Sequence, residues 1–158
     1  MWLAYFIFWC SGAAILPFIP LYYESVDLTG SQIGQLNSIP FFVAFFSSVI
    51  FGFISDVTRQ NRLLLRISVV GMIAALAFFP SISTFSAFIP VVLTYSAFQA
   101  PANPIMDETT LRVLEKPEMY GKVRTGGSIG WGLMVLATGF LIENLKLGLP
   151  VIFYLSIA

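Results

Sequence analysis

Polar and charged residues along this chain fall in short clusters, and the stretches between them are apolar. Residues 2–23, 33–55, 67–106 and 125–142 carry no charged side chain. A bilayer core about 30 Å thick takes roughly 20 apolar residues as a helix. Residues 67–106 are about twice that length, and Pro80 followed by Ser81, Ile82, Ser83 and Thr84 divides them into two helices joined by a tight turn. The pattern predicts helices over about 2–23, 33–55, 63–80, 84–106 and 125–142. A sixth, over 149–158, is about half a span. Pro17 and Pro20 come late in the first helix and are expected to bend or loosen it. In a membrane this is tolerable where neighbours or water satisfy the freed carbonyls. The first run lacks a basic leading segment and is longer than the apolar part of a signal peptide, so it reads as a span.

Composition agrees on the solvent. Hydrophobic residues make up 58% of the chain and charged ones 10%, with a mean hydropathy of +0.87. Soluble domains average about 25% charged residues, and a chain this poor in them cannot coat a globule with polar surface. Formal net charge is zero, so no basic field points to nucleic acid. Histidine is missing and Cys10 is the single cysteine. That excludes a disulfide within the chain, disfavours His- and Cys-based metal sites and removes the common nucleophile–base pairs of enzymes. No cofactor and no enzymatic activity are expected.

The short loops give an orientation. Arg59, Arg62 and Arg66 follow the second helix, and Arg112, Lys116, Lys122 and Arg124 follow the fourth. The opposite loops hold only Lys146. Such asymmetry puts the basic loops and the N-terminus in the cytoplasm, with Glu24, Asp27 and Glu143 outside. An integral protein of the cell (inner) membrane is expected.

Two segments carry more than orientation. The first is GFISDVTRQNR, residues 52–62. Gly52, Asp56, Arg59 and Arg62 resemble the signature loop of the major facilitator superfamily, which has a glycine, an aspartate four residues on, and then basic residues. The match is partial, because Val57 stands where the first basic residue belongs and Arg59 where a second glycine does. The resemblance implies that Asp56 pairs with charges elsewhere to hold a gate closed, with Gly52 allowing close helix approach. An ordinary basic loop is the alternative.

The second segment is MYGKVRTGGSIGWGL, residues 119–133, with five glycines within twelve residues and a tryptophan among them. Together with Asp107 after Pro104, the residues Tyr120, Gly121, Lys122, Arg124, Gly127, Ser128, Gly130 and Trp131 resemble one branch of that superfamily. The branch holds lactose permease-like, nucleoside–proton symporter-like and phenylpropionate permease-like proteins. The resemblance implies that Asp107, Arg124 and Trp131 contact substrate, with Glu108 a rival for the acid. It implies an all-α membrane protein, the six-helix N-terminal half of such a transporter, cut within helix 6. A C-terminal half of the same transporter would be the missing partner. The implied activity is secondary active transport of a small organic solute, with the proton as coupling ion; sugar, nucleoside and aromatic acid all fit. A non-transporting scaffold or receptor that kept the fold is the alternative.

The residues support a binding face independently. Arg124 and Trp131 lie two helical turns apart and share a face, with Ser128 between them, along about 10 Å. A cation, a hydroxyl and an indole so aligned suit a hydroxylated or anionic ring. The competing reading has Arg124 anchoring the helix and Trp131 packing on a neighbour. Gly126 with Gly130, and Ser128 with Gly132, form two small-x-x-x-small pairs, which suit either static close packing or a sliding face. The amides Gln35, Asn37, Gln99 and Asn103 line a cavity or bond neighbouring carbonyls.

Overall fold

The computed structural model describes residues 1–58, 60–114, 118–144 and 148–157; at Ser48, Ser55 and Asp56 it describes the helical backbone only. Among these residues every regular element is helical: α1 (Trp2–Ile15), α2 (Ile19–Ser25), α3 (Gly30–Thr58), α4 (Asn61–Phe78), a 3₁₀ turn (Phe79–Ser81), α5 (Phe85–Val113), α6 (Met119–Asn144) and α7 (Val151–Ile157). Five stretches are long and apolar enough to cross a bilayer: residues 2–25 (α1 with α2), 30–54 within α3, 61–81 (α4 with the 3₁₀ turn), α5 and α6. This is an all-α membrane architecture.

Local chemistry sets the breaks. Proline cannot donate its backbone amide and clashes with the preceding turn. Accordingly α1 stops at Ile15, and α2 restarts with Pro20 in its first turn, where the missing N–H costs nothing. The 3₁₀ turn contains Pro80, and Ile82 beyond it is extended. Yet Pro40, Pro90, Pro101 and Pro104 lie inside continuous helices, as membrane helices permit.

Helix ends run past the charge-free windows. α3 starts at Gly30 rather than 33 because Thr29 and Gln32 form a reciprocal cap: the Thr29 amide donates to Gln32 Oε1 at 2.9 Å and the Gln32 amide to Thr29 Oγ1 at 3.4 Å. α5 continues to Val113, not 106, and α6 begins at Met119, not 125. The basic segment expected as a loop between them is therefore mostly helix. Charges stop a bilayer-buried run but not a helix, and Glu108 with Arg112 forms an i,i+4 ion pair on the extension. Likewise Gly52 and Asp56 sit in the last turns of α3, and Arg62 in the first turn of α4. Arg59, Lys116 and Lys146 lie outside the described residues.

The chain forms two compact units that do not follow sequence order: residues 1–27 with 114–158, and residues 28–113. In the first unit α1 packs against α6 and α7. Tyr5, Ala13, Ala14, Ile15, Ile152 and Phe153 are buried there, and Phe153 meets Tyr22 edge-to-face at 4.8 Å. Ser11 donates to the Ser156 carbonyl at 2.7 Å. In the second unit α5 packs against α3 and α4, with Leu36, Leu76, Phe79 and Phe88 buried.

Large apolar side chains face outward. On α3, Phe41, Phe42, Phe45, Phe46 and Phe53 are each at least 63% exposed. A stripe of that kind exceeds what soluble surfaces tolerate; lipid is the solvent that makes it favourable.

Candidate functional site

The site is built on α6. At about 100° per residue, its circumference divides into three sectors. Val123, Gly126, Gly127, Gly130 and Thr138 are buried and form the packed sector. Ile129, Leu133, Leu136 and Phe140 are exposed and form an apolar one. Between these runs a strip holding Arg124, Ser128 and Trp131, with Gly121, Thr125 and Gly132 beside it. Arg124, Ser128, Gly121 and Gly132 are exposed, and Trp131 is half-buried.

The packed sector explains the glycines. A Cβ on Gly126 would lie 2.7 Å from the Trp2 carbonyl oxygen, and one on Gly130 would lie 2.6 Å from that of Phe6. At Gly127 it would collide with the Trp9 ring. Trp2, Phe6 and Cys10 step four residues at a time along α1, matching Gly126 and Gly130 on α6. Cys10 Sγ closes the ladder by donating to the Gly130 carbonyl at 3.3 Å. Because residue numbers rise together on both helices, α1 and α6 run parallel. The two small-residue pairs thus differ in use: Gly126 and Gly130 are in close contact with α1, whereas Gly132 beside exposed Ser128 has nothing within 4 Å of a Cβ position.

On the polar strip, Arg124 Nη1 donates to Tyr120 Oη at 3.3 Å, and its guanidinium lies 5.9 Å from the Tyr120 ring centroid. The tyrosine, one turn back, holds the arginine along the helix axis. One guanidinium N–H of five is used in that bond. Trp131 meets Trp9 edge-to-face at 5.8 Å, with 70° between the rings. Its ring also crosses Gly12, where a Cβ would be 3.6 Å from Cζ3. Trp131 is therefore a packing residue on one side and accessible on the other. Tyr120 and Trp9 went unassigned in the sequence: Tyr120 was legible as the i−4 neighbour of Arg124, while Trp9 is 122 residues from its partner and carried no local signal.

The remaining predicted residues belong to the second unit. Asp107 is half-buried on α5. Glu108, its rival, is engaged locally: it accepts from Asn61 Nδ2 at 2.7 Å and from Arg112 Nη2 at 2.5 Å. Gly52 is exposed, and a Cβ there would meet nothing within 4 Å among the described residues. Arg62 lines a cleft of about 430 Å³ at the junction of α4 and α5. The side chain of Asp56 and the whole of Arg59 lie outside the described residues. No group of three or more potential metal ligands occurs among the described residues.

Comparison with known proteins adds the following. The profile of the MFS_1 like family matches residues 1–158. A maltose permease of Geobacillus stearothermophilus is 31% identical over 96% of this chain and 39% of its own length. An uncharacterized transporter, YwbF, of Bacillus subtilis (strain 168) is 30% identical over 84% of this chain and 34% of its own. The chain thus spans well under half the length of these relatives. No solved structure matches it significantly.

Proposed function

Since the chain belongs to the MFS_1 like family, an integral membrane family of the major facilitator type, we propose that it supplies the N-terminal half of a secondary active transporter for a small hydroxylated organic solute, driven by proton symport. The observation that carries this reading is the uncovered polar strip of α6, where Arg124, Ser128 and Trp131 stand in line beside a helix face already committed to packing.

The chemistry of the strip fits a ring bearing hydroxyls. Tyr120 fixes the guanidinium while leaving N–H donors free. Ser128 can donate or accept. The accessible side of the Trp131 indole offers a flat apolar surface for the ring. A saccharide is the class best suited to those three groups, and the resemblance to a protein named as a maltose permease supports it. The basic residues Arg62, Arg66, Arg112, Lys122 and Arg124 favour an orientation with the N-terminus in the cytoplasm. Alternating access in this fold class needs a second bundle rocking against the first around a midplane site, and the longer transporter would provide it.

Uptake by the full-length transporter tests the reading. Arg124→Ala is expected to lower uptake of radiolabelled maltose at least tenfold, about 1.4 kcal/mol or more of lost interaction, with surface expression unchanged. Collapsing the proton gradient should abolish accumulation above the external concentration. Undiminished uptake by Arg124→Ala would remove this arginine from the site, and accumulation insensitive to a protonophore would remove proton coupling.

A further inference from the structure

Away from the α6 strip, the second unit carries a cleft of about 430 Å³ between the first turns of α4 and the last turns of α5. Arg62, Arg66 and Arg112 line it, together with Thr109 and the apolar residues Leu63 and Val113. Three features are unusual for a merely solvated helix end. Arg62 and Arg66 are four residues apart on one helix, a like-charge spacing that is unfavourable unless an anion answers it. Glu108, the acid on the adjoining turn of α5, is already shared between Arg112 and Asn61. Thr109 Oγ1 is buried and has no hydrogen-bond partner among the described residues. The helix end adds to the same field: α4 is an 18-residue helix whose N-cap, Gln60, makes no side-chain capping bond, so its first amides and dipole favour negative charge there.

We propose that this cleft binds a phosphate anion, with Arg62 and Arg66 as the principal ligands, Arg112 lending the N–H groups not given to Glu108, and Thr109 donating its hydroxyl. The phosphate belongs either to an anionic phospholipid headgroup or to a soluble phosphate compound. Leu63 and Val113, 49% and 54% exposed at the rim, are placed to lie beside acyl chains in the first case. Basic pockets between helices at a membrane surface recognise such headgroups. The site is independent of the solute strip on α6 and stands or falls without it.

The test is thermal unfolding of the full-length transporter in lipid nanodiscs. In neutral phosphatidylcholine discs the Arg62→Gln/Arg66→Gln double variant is expected to unfold close to wild type or above it, because a like-charge pair has been removed. Replacing part of the lipid with phosphatidylglycerol should raise the wild-type Tm by about 5 °C and leave the double variant unmoved. A Lys122→Gln control, which removes a cation outside the cleft, should respond as wild type does. Adding glycerol phosphate to neutral discs separates the sources: a rise there assigns the site to a soluble phosphate, and no rise assigns it to the lipid. Should the double variant fail to fold, Thr109→Val decides. It should keep the wild-type Tm in neutral discs and respond less to whichever phosphate is effective. An equal response of wild type and variants, or no response of wild type to either phosphate source, would overturn the proposal.

Discussion

Gly130→Ala tests the central contact of the first unit. The added Cβ would sit 2.6 Å from the Phe6 carbonyl oxygen, 3.1 Å from Cys10 Sγ and 3.2 Å from the Phe6 ring. Ordinary contact begins at 3.4 Å, so helix α6 must back away from α1 by 3.4 − 2.6, or 0.8 Å. The obstructing atom is backbone and cannot rotate aside. A gap of about 0.5–1 Å forfeits a quarter to a half of each dispersion contact it touches. In lipid those contacts hold helices together, because no hydrophobic drive exists between them. Overpacking of this kind costs about 1–3 kcal/mol, which for a chain of this size corresponds to a fall of roughly 2–12 °C in Tm. The Cys10–Gly130 hydrogen bond, made by a weak thiol donor at 3.3 Å, stretches and adds little. Gly132→Ala is the matched control, since its Cβ meets nothing within 4 Å. It should leave Tm unchanged or slightly raised, as alanine is the better helix former. The assay is thermal unfolding of purified protein in one detergent, with expression level as a second readout. Equal Tm values for the two variants would refute the argument that backbone contact, rather than glycine content, defines the packed face.

Other expectations follow the same logic. Thr29→Ala removes one half of the reciprocal cap on α3 and should cost about 1 kcal/mol, read as faster proteolysis at the α2–α3 turn. Glu108→Gln keeps an acceptor for Asn61 and gives up only an exposed ion pair worth about 0.5 kcal/mol, so Tm should barely change. Glu108→Ala takes a partner from buried Asn61 and should cost about 1–3 kcal/mol. Ser11→Ala deletes the hydroxyl that joins α1 to Ser156 on α7, with an expected loss of about 0.6 kcal/mol. Trp131→Phe should keep the aromatic contact with Trp9 while weakening solute binding, separating its two sides in a comparison of Tm with uptake.

Much of the architecture was legible because lipid imposes a single rule, that a span must be apolar and helical. The five crossing stretches, the break at Pro80 and the interruption near Pro17 and Pro20 all follow from hydropathy and proline chemistry. The helix ends were less legible, since nothing in hydropathy marks where a helix continues into water. Thr29 with Gln32, and Glu108 with Arg112, extend α3 and α5 through local bonds that a charge-free window discards. Arg124, Ser128 and Trp131 could be placed on one face from spacing alone.

What the sequence could not determine is which face of each helix is covered. Gly126–Gly130 and Ser128–Gly132 are equivalent as patterns, yet one pair is packed against α1 and the other is open. Trp131 was readable as a ligand or as a packing residue and takes a part of each, because Trp9 lies on a helix more than a hundred residues away. The grouping of α1 with α6 and α7, and of α3 with α4 and α5, likewise has no local signature. Between helices in lipid the drive is shape and close backbone approach, a property of two surfaces together, so only the tertiary structure could decide it.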